Sequence, residues 1–270
     1  MVTASETASG SDERARLERR QAQRRRLVAV AAHLVALVAW EVAVRALKVP
    51  RFILPAPSEV VLTIGEARYD WVGNSWVTGA EIVGGYLLAT VLGVLSALMF
   101  SWSRLLSAVL FPLLVTLNMI PKVALGPLVI VWFSYGISTN VLITFSLCYF
   151  PILLTTVRGL REVEPDLLDL VKSLRGSRWQ MFSHIQLPGA MPYIFSGMKV
   201  AAILAVAGAV VGEFIASDRG LAYLMIQVQA ALDTPAMFMA VTLITLIGIV
   251  LYLAILLLER LVLPKDARMS

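Results

Sequence analysis

Few residues in this sequence have the type and spacing that chemistry requires. There is no His-Glu-x-x-His, no Gly-x-Ser-x-Gly and no pair of aspartates inside an apolar run, so bond-making has no visible machinery. His33 and His184 stand alone, without the spacing that would make either a metal ligand. Cys148 is the single cysteine, set in "LITFSLCYF", so an internal disulfide is impossible and a buried, inert thiol is expected. What remains is charge where charge is expensive. Lys122 follows Pro121 in one long apolar run and Glu213 lies in another. They fall roughly 25 Å and 33 Å along their helices, at similar heights. A lysine in that position either lines an aqueous path, where it would attract an anion, or meets a partner such as Glu213, or snorkels to an interface. Lys199, at the inner end of its run, is expected to snorkel. Glu41 and Arg45, four apart, can pair on one helix face.

The elements that must position these residues follow from hydropathy. The chain has 270 residues, of which 59% are hydrophobic and 15% charged. Its apolar runs reach about 20 residues, the length that spans a bilayer as a helix. A soluble helical protein would show a polar face, and "VTLITLIGIVLYLAILLL" (241–258) shows none. The fold class is therefore an all-α polytopic membrane protein of about six spans, placed at 27–47, 81–101, 105–133, 139–160, 191–215 and 236–262. Pro112, Pro121 and Pro127 should kink or break the third. Gly208 and Gly212 form a G-x-x-x-G that permits close helix approach, inside the chain or against a second copy. Residues 1–26 form a basic segment whose first dozen residues look disordered and whose Arg-rich remainder suits a solvated helix. Residues 48–78 read as an extracytoplasmic loop, 79–263 as the core and 264–270 as a tail. No internal repeat is visible.

Basic residues orient the chain. With the N-terminus inside, sixteen Lys and Arg fall on inner segments and five on outer ones, which places both termini and the 161–190 segment in the cytoplasm. That bias, rather than nucleic-acid binding, accounts for the net charge of +5.

The inner segment contains "LLDLVKSLRGSRWQMFSHIQLP" (167–188), polar and punctuated in a greasy chain. Pro165 suits a first helical turn, and Asp166 and Asp169 favour the positive end of its dipole. Leu167, Leu170, Val171 and Leu174 repeat at i, i+3, i+4 and i+7, making one apolar face. Gly176 is placed to end this helix in a left-handed conformation. Ser177 and Gln180 form a capping box for the next. The predicted unit is a helix–turn–helix elbow, with Pro188 and Pro192 marking the return to the bilayer. Its apolar face packs either under its own bundle or against a visitor.

This pattern resembles the EAA loop in the permease subunits of bacterial ABC importers. The motif runs Glu-Ala-Ala, three residues, Gly, nine residues, Ile, one residue, Leu-Pro; Ile185, Leu187 and Pro188 match its end. Counting back places Arg175 at the motif glycine and Asp169, Leu170 and Val171 at the opening triplet. Asp169 keeps the acid, whereas an arginine forced into a left-handed turn would cost on the order of 1 kcal/mol. "NMIPKVALGPLVIVWF" and "VVGEFIASDRGLAYLM" are similar to the branch that carries nitrate, sulfonates, taurine and pyrimidine precursors, over about residues 80–262.

The resemblance implies a type I importer permease, not an enzyme, in the bacterial inner membrane and without a cofactor. Its partners would be two ATPase subunits, a second permease subunit (a homodimer), an extracytoplasmic solute-binding protein and the lipid bilayer. The ATPase-coupling residues would be Asp166, Leu167, Asp169, Leu170, Val171, Lys172, Leu174, Arg175, Gly176, Ser177 and Arg178, with Lys122 and Glu213 on the translocation path. The sequence permits this division of labour, since no G-x-x-x-x-G-K-[ST] loop is present to cradle ATP phosphates. A channel or secondary carrier working without nucleotide is the alternative, and it would leave the elbow without a purpose.

Overall fold

The computed structural model describes residues 4–163 and 165–264, all of them in helices, turns or irregular segments without a strand. The chain divides into two units, Met1–Gly65 and Glu66–Ser270.

In the first unit, α1 (Ala4–Ala46) is one helix of 43 residues. It includes most of the dozen residues expected to be disordered; Ala, Glu and Arg are strong helix formers, and that propensity carries the helix back to Ala4. A short α2 (Pro57–Leu62) follows. The expected Glu41–Arg45 pair forms at 2.5 Å. Glu41 also accepts from the Ser58 amide at 3.0 Å and the Ser58 hydroxyl at 2.8 Å, fastening the start of α2 to α1.

The second unit opens with α3 (Trp71–Trp102), which starts well inside the predicted loop. Its cap lies inside that loop: Asp70, at φ 42°, accepts from the Gly73 amide at 3.2 Å. The predicted third span is broken into α4 (Arg104–Asn118), a 3₁₀ turn at Lys122–Leu125 and α5 (Gly126–Phe133). Pro121, which has no amide hydrogen to give, stands at the break. Then come α6 (Ile137–Arg161), α7 (Pro165–Ser173) and α8 (Arg178–Met181). A π-helical turn at Phe182–Gln186 leads directly into α9 (Leu187–Ala216), so residues 178–216 form one continuous rod of 39 residues. Pro188 and Pro192 do not interrupt it, because the wide turn just before Pro188 accommodates the missing donor. The chain closes with α10 (Leu221–Ala230) and α11 (Thr234–Val262). Among the described residues five helices are long and apolar enough to cross a membrane. The sixth expected span is the one the prolines break.

The core lies where α6 packs along both α3 and α9. Ile82, Tyr86, Cys148, Ile152, Phe195 and Ala205 fill it. Cys148 is fully buried, its thiol directed at the Ala201 carbonyl 3.3 Å away, as the inert reading requires. Thr144 sits between two glycines. A Cβ at Gly85 of α3 would lie 2.4 Å from the Thr144 Cβ, and one at Gly208 of α9 would lie 2.8 Å from its Cα. The G-x-x-x-G of α9 is thus spent inside the chain, with Gly212 against Asn140 one turn from Thr144.

Candidate functional site

Three polar places interrupt this apolar body. The first is the elbow. Its first helix, α7, ends in a Schellman closure, in which the Gly176 amide donates to the Val171 carbonyl at 2.8 Å. The left-handed residue is Arg175, at φ 58°, and not Gly176. The expectation that Gly176 takes the turn is therefore wrong, and the reason is spatial. A Cβ at residue 176 would fall 2.4 Å from Val171 Cγ1, so the glycine is spent on close approach and the strained conformation moves back to the arginine. That is the motif position obtained by counting from Pro188.

The second arm starts as expected. Ser177 Oγ accepts from the Gln180 amide at 3.2 Å while Gln180 Oε1 accepts from the Ser177 amide at 2.7 Å. The apolar face of α7 is not tucked under the bundle: Leu167 is 42% exposed, Leu170 54% and Leu174 74%, with Val171 half-buried. Asp166, Asp169, Arg175, Ser177 and Arg178 are exposed around it, and Lys172 lies on the same helix. At the base, Phe182 is buried among Phe100, Val157, Leu160 and Ala190. On the last turn of α6, Arg158 Nε lies 3.0 Å from Glu162, which holds that carboxyl below the usual carboxylate range. Arg161 donates to Ser107 at 2.8 Å and joins α6 to α4.

The second place is a cavity of about 490 Å³ between α3, α4, the 122–125 turn and α6, lined by Ser96, Leu117, Asn118, Lys122, Phe145 and Tyr149 among others. Lys122 Nζ donates to the Asn118 carbonyl and, at 2.7 Å, to Asn118 Oδ1. It pairs with no carboxylate among the described residues. The Tyr149 hydroxyl donates to Ser96 Oγ at 2.9 Å on the same wall. A cation presented beside aromatic rings and hydroxyls suits a polar or anionic guest.

The third is the surround of Glu213, 1% exposed and remote from that cavity's lining. Of the alternatives for Lys122, the pair with Glu213 does not form. Glu213 instead caps α10 from nine residues upstream: Oε2 accepts from the Ala222 amide at 2.6 Å and the Tyr223 amide at 3.1 Å, while Oε1 accepts from Thr78 Oγ1 at 2.5 Å. Thr78 Oγ1 takes the Leu221 amide at 2.9 Å and Asn74 Oδ1 takes the Gly220 amide at 2.8 Å. Four donors at the buried head of α10 are satisfied by side chains. Glu81 completes the cluster. It is fully buried, its carboxyl stands beside that of Glu213, and Oε1 accepts from Asn140 Nδ2 at 2.8 Å. Sequence reasoning missed Glu81 because it sits at the edge of a predicted span, where an acid raises no question; the seven-residue spacing to Asn74, with Thr78 between, was the available signal. Lys199 does not snorkel either. Its Nζ lies 3.0 Å from Glu259 of α11, and both side chains are largely buried.

Comparison with known proteins shows the family. Residues 89–265 match the family model "Binding-protein-dependent transport system inner membrane component". A "Probable ABC transporter permease protein" of Haemophilus influenzae is 36% identical over 82% of this chain and 90% of its own length. The "Formylaminopyrimidine transport permease protein ThiX" of Halalkalibacterium halodurans is 32% identical, covering 86% of this chain and 92% of its own. The "Taurine transport system permease protein TauC" of Escherichia coli is 25% identical, with 83% and 84% covered. Among solved structures, a chain of an amino acid ABC transporter superposes with a TM-score of 0.52 at 17% identity, over 74% of this chain and 95% of that one, and shows the same fold.

The left-handed arginine generates a stability prediction. Arg175→Gly should raise the stability of the detergent-solubilised protein by about 1 kcal/mol, by removing the strain. Calorimetric unfolding checks this; an unchanged or lowered transition would show that residue 175 is unstrained.

Proposed function

This chain belongs to the binding-protein-dependent transport system inner membrane components, the permease subunits of ABC importers, and we propose that it forms the path for a small polar or anionic solute and is driven through its elbow by a separate ATPase. The observation that carries the reading is an apolar helix face left open to solvent on an arm that continues into a core helix. An exposed apolar stripe ringed by charges is the chemistry of a docking surface. The absence of a P-loop from this sequence supports hydrolysis by another chain.

The assembly we infer has two copies of this permease, two ATPase subunits on the cytoplasmic side and an extracytoplasmic solute-binding protein. The basic bias supports cytoplasmic termini and a cytoplasmic elbow in the bacterial inner membrane. ATP would act by shifting populations between inward- and outward-open states. Asp166, Asp169, Lys172, Arg175, Ser177 and Arg178 would form the polar rim of the docking face, around Leu167, Leu170, Val171 and Leu174. Gly176 would set its angle.

For the path, Lys122 has the better claim. Relatives named for formylaminopyrimidine, riboflavin, aliphatic sulfonates and taurine support a solute with strong hydrogen-bond acceptors or negative charge. A lysine beside Tyr149 and Phe145 suits either an anion or a pyrimidine-like ring. The enclosed position of Glu213 supports a tie that holds α10 in place rather than contact with solute.

Two measurements test this reading. Changing Leu170→Asp together with Leu174→Asp should abolish co-purification of the ATPase while the permease stays folded; an ATPase still bound would sink the docking role. Lys122→Met should lower uptake of the cognate solute by about tenfold or more with the complex intact, and normal uptake would remove Lys122 from the path.

A further inference from the structure

One cluster of side chains is left without a task by these readings. Trp102, the last residue of α3, packs edge-on against Trp179 of α8 with ring centroids 6.1 Å apart, and against Phe182 at 5.6 Å. Trp179 and Phe182 are themselves 5.7 Å apart, so the three rings close a triangle. Phe182 is buried, while Trp102 and Trp179 remain 66% and 61% exposed. Rings so exposed add little to the core; what distinguishes them is where they sit.

Phe182 is the first residue of the π turn and Trp179 stands on the arm just before it. A π turn is the point at which a long helix bends most readily. A push on α7 and α8 would flex the rod there and be lost unless something braced the joint. Trp102 touches the arm just before the joint, at Trp179, and the first residue of the joint itself, Phe182. Beyond it the chain turns at once: Ser103 is extended, and its hydroxyl accepts from the Leu106 amide at 3.2 Å to cap α4. The far end of α4 carries Asn118, the partner of Lys122 in the cavity wall.

We propose that Trp102 is a positioning residue for coupling: it locks the α3–α4 corner to the elbow, so that displacement of the elbow reaches the Lys122 cavity wall along α4 as well as along α9. The proposal rests on the docking role of the elbow and goes beyond it, since docking alone requires nothing of Trp102. The rings work by shape. Edge-to-face contacts hold one geometry better than aliphatic contacts of equal area, and a brace needs that angular stiffness.

The test uses the full complex of permease, ATPase and binding protein in lipid nanodiscs, with Cys148→Ser as background. A nitroxide pair at Met119→Cys and Ser138→Cys reports the distance from the end of α4 to the start of α6, a single label at the exposed Ser173→Cys reports the elbow in a second sample, and both are recorded without nucleotide and with ATP plus vanadate. With Trp102 present, nucleotide should shift the distribution and also change the mobility of the elbow label. Trp102→Ala should keep the ATPase bound and the elbow response, yet abolish the distance shift as the arm flexes alone, and Trp102→Phe should restore it. Where alanine lowers assembly, Trp102→Leu keeps apolar volume without a ring and should behave as alanine does. A full shift in Trp102→Ala or Trp102→Leu overturns the brace and identifies Trp102 as a headgroup anchor. An elbow label that ignores nucleotide in the Trp102 protein overturns the docking reading, and the brace with it.

Discussion

The structure depends on how closely three helices meet at Thr144. Glycines on α3 and α9 face it from both sides with no room for a methyl group, so α6 is held where sliding would mean steric overlap. In a bilayer apolar surface alone does not hold helices together, because lipid tails are as apolar as leucine; close packing and hydrogen bonds must. Small residues along the α6–α9 and α3–α6 contacts supply the first. The second comes from a few buried polar groups that bond to one another across the helices.

Those polar groups mark the ends of the block. Glu213, Glu81, Thr78, Asn74 and Asn140 gather α3, α6, α9 and α10 where α9 finishes. Lys199, twelve residues into α9, ties that helix to Glu259 near the end of α11. In a medium with no water to replace lost partners, each such tie is costly to break. What is left loose is the elbow, which shows its apolar face and meets the block through the π turn. A packed block with one arm that shows its apolar face is the form that the proposed docking of an ATPase calls for.

Much of this was legible in the sequence. Capping chemistry located the elbow to within a residue, because Ser177 and Gln180 can be read without knowing what surrounds them, and the apolar stripe of Leu167, Leu170 and Leu174 was plain at helical spacing. The prolines announced the broken third span. What could not be read were the consequences of packing. Gly176 looked like the left-handed residue until Val171 was seen to press on it. Lys122 and Glu213 were matched by height along their helices, a measure blind to the direction each side chain takes. Glu81 hid at a span boundary, and Lys199 found Glu259 sixty residues away. For Glu81 and Lys199 the deciding partners, Asn140 and Glu259, came from distant parts of the chain.

The account stands most directly on what touches Leu170 in the living membrane. With Leu170→Cys introduced over Cys148→Ser and alkylated with a thiol-reactive benzophenone, ultraviolet light on inner-membrane vesicles should join the permease to its ATPase by insertion into a nearby C–H bond, with a yield that changes when ATP and vanadate are added. A cross-link found only within the permease, or none in vesicles where the ATPase is present and active, would contradict the claim that this arm is where force enters.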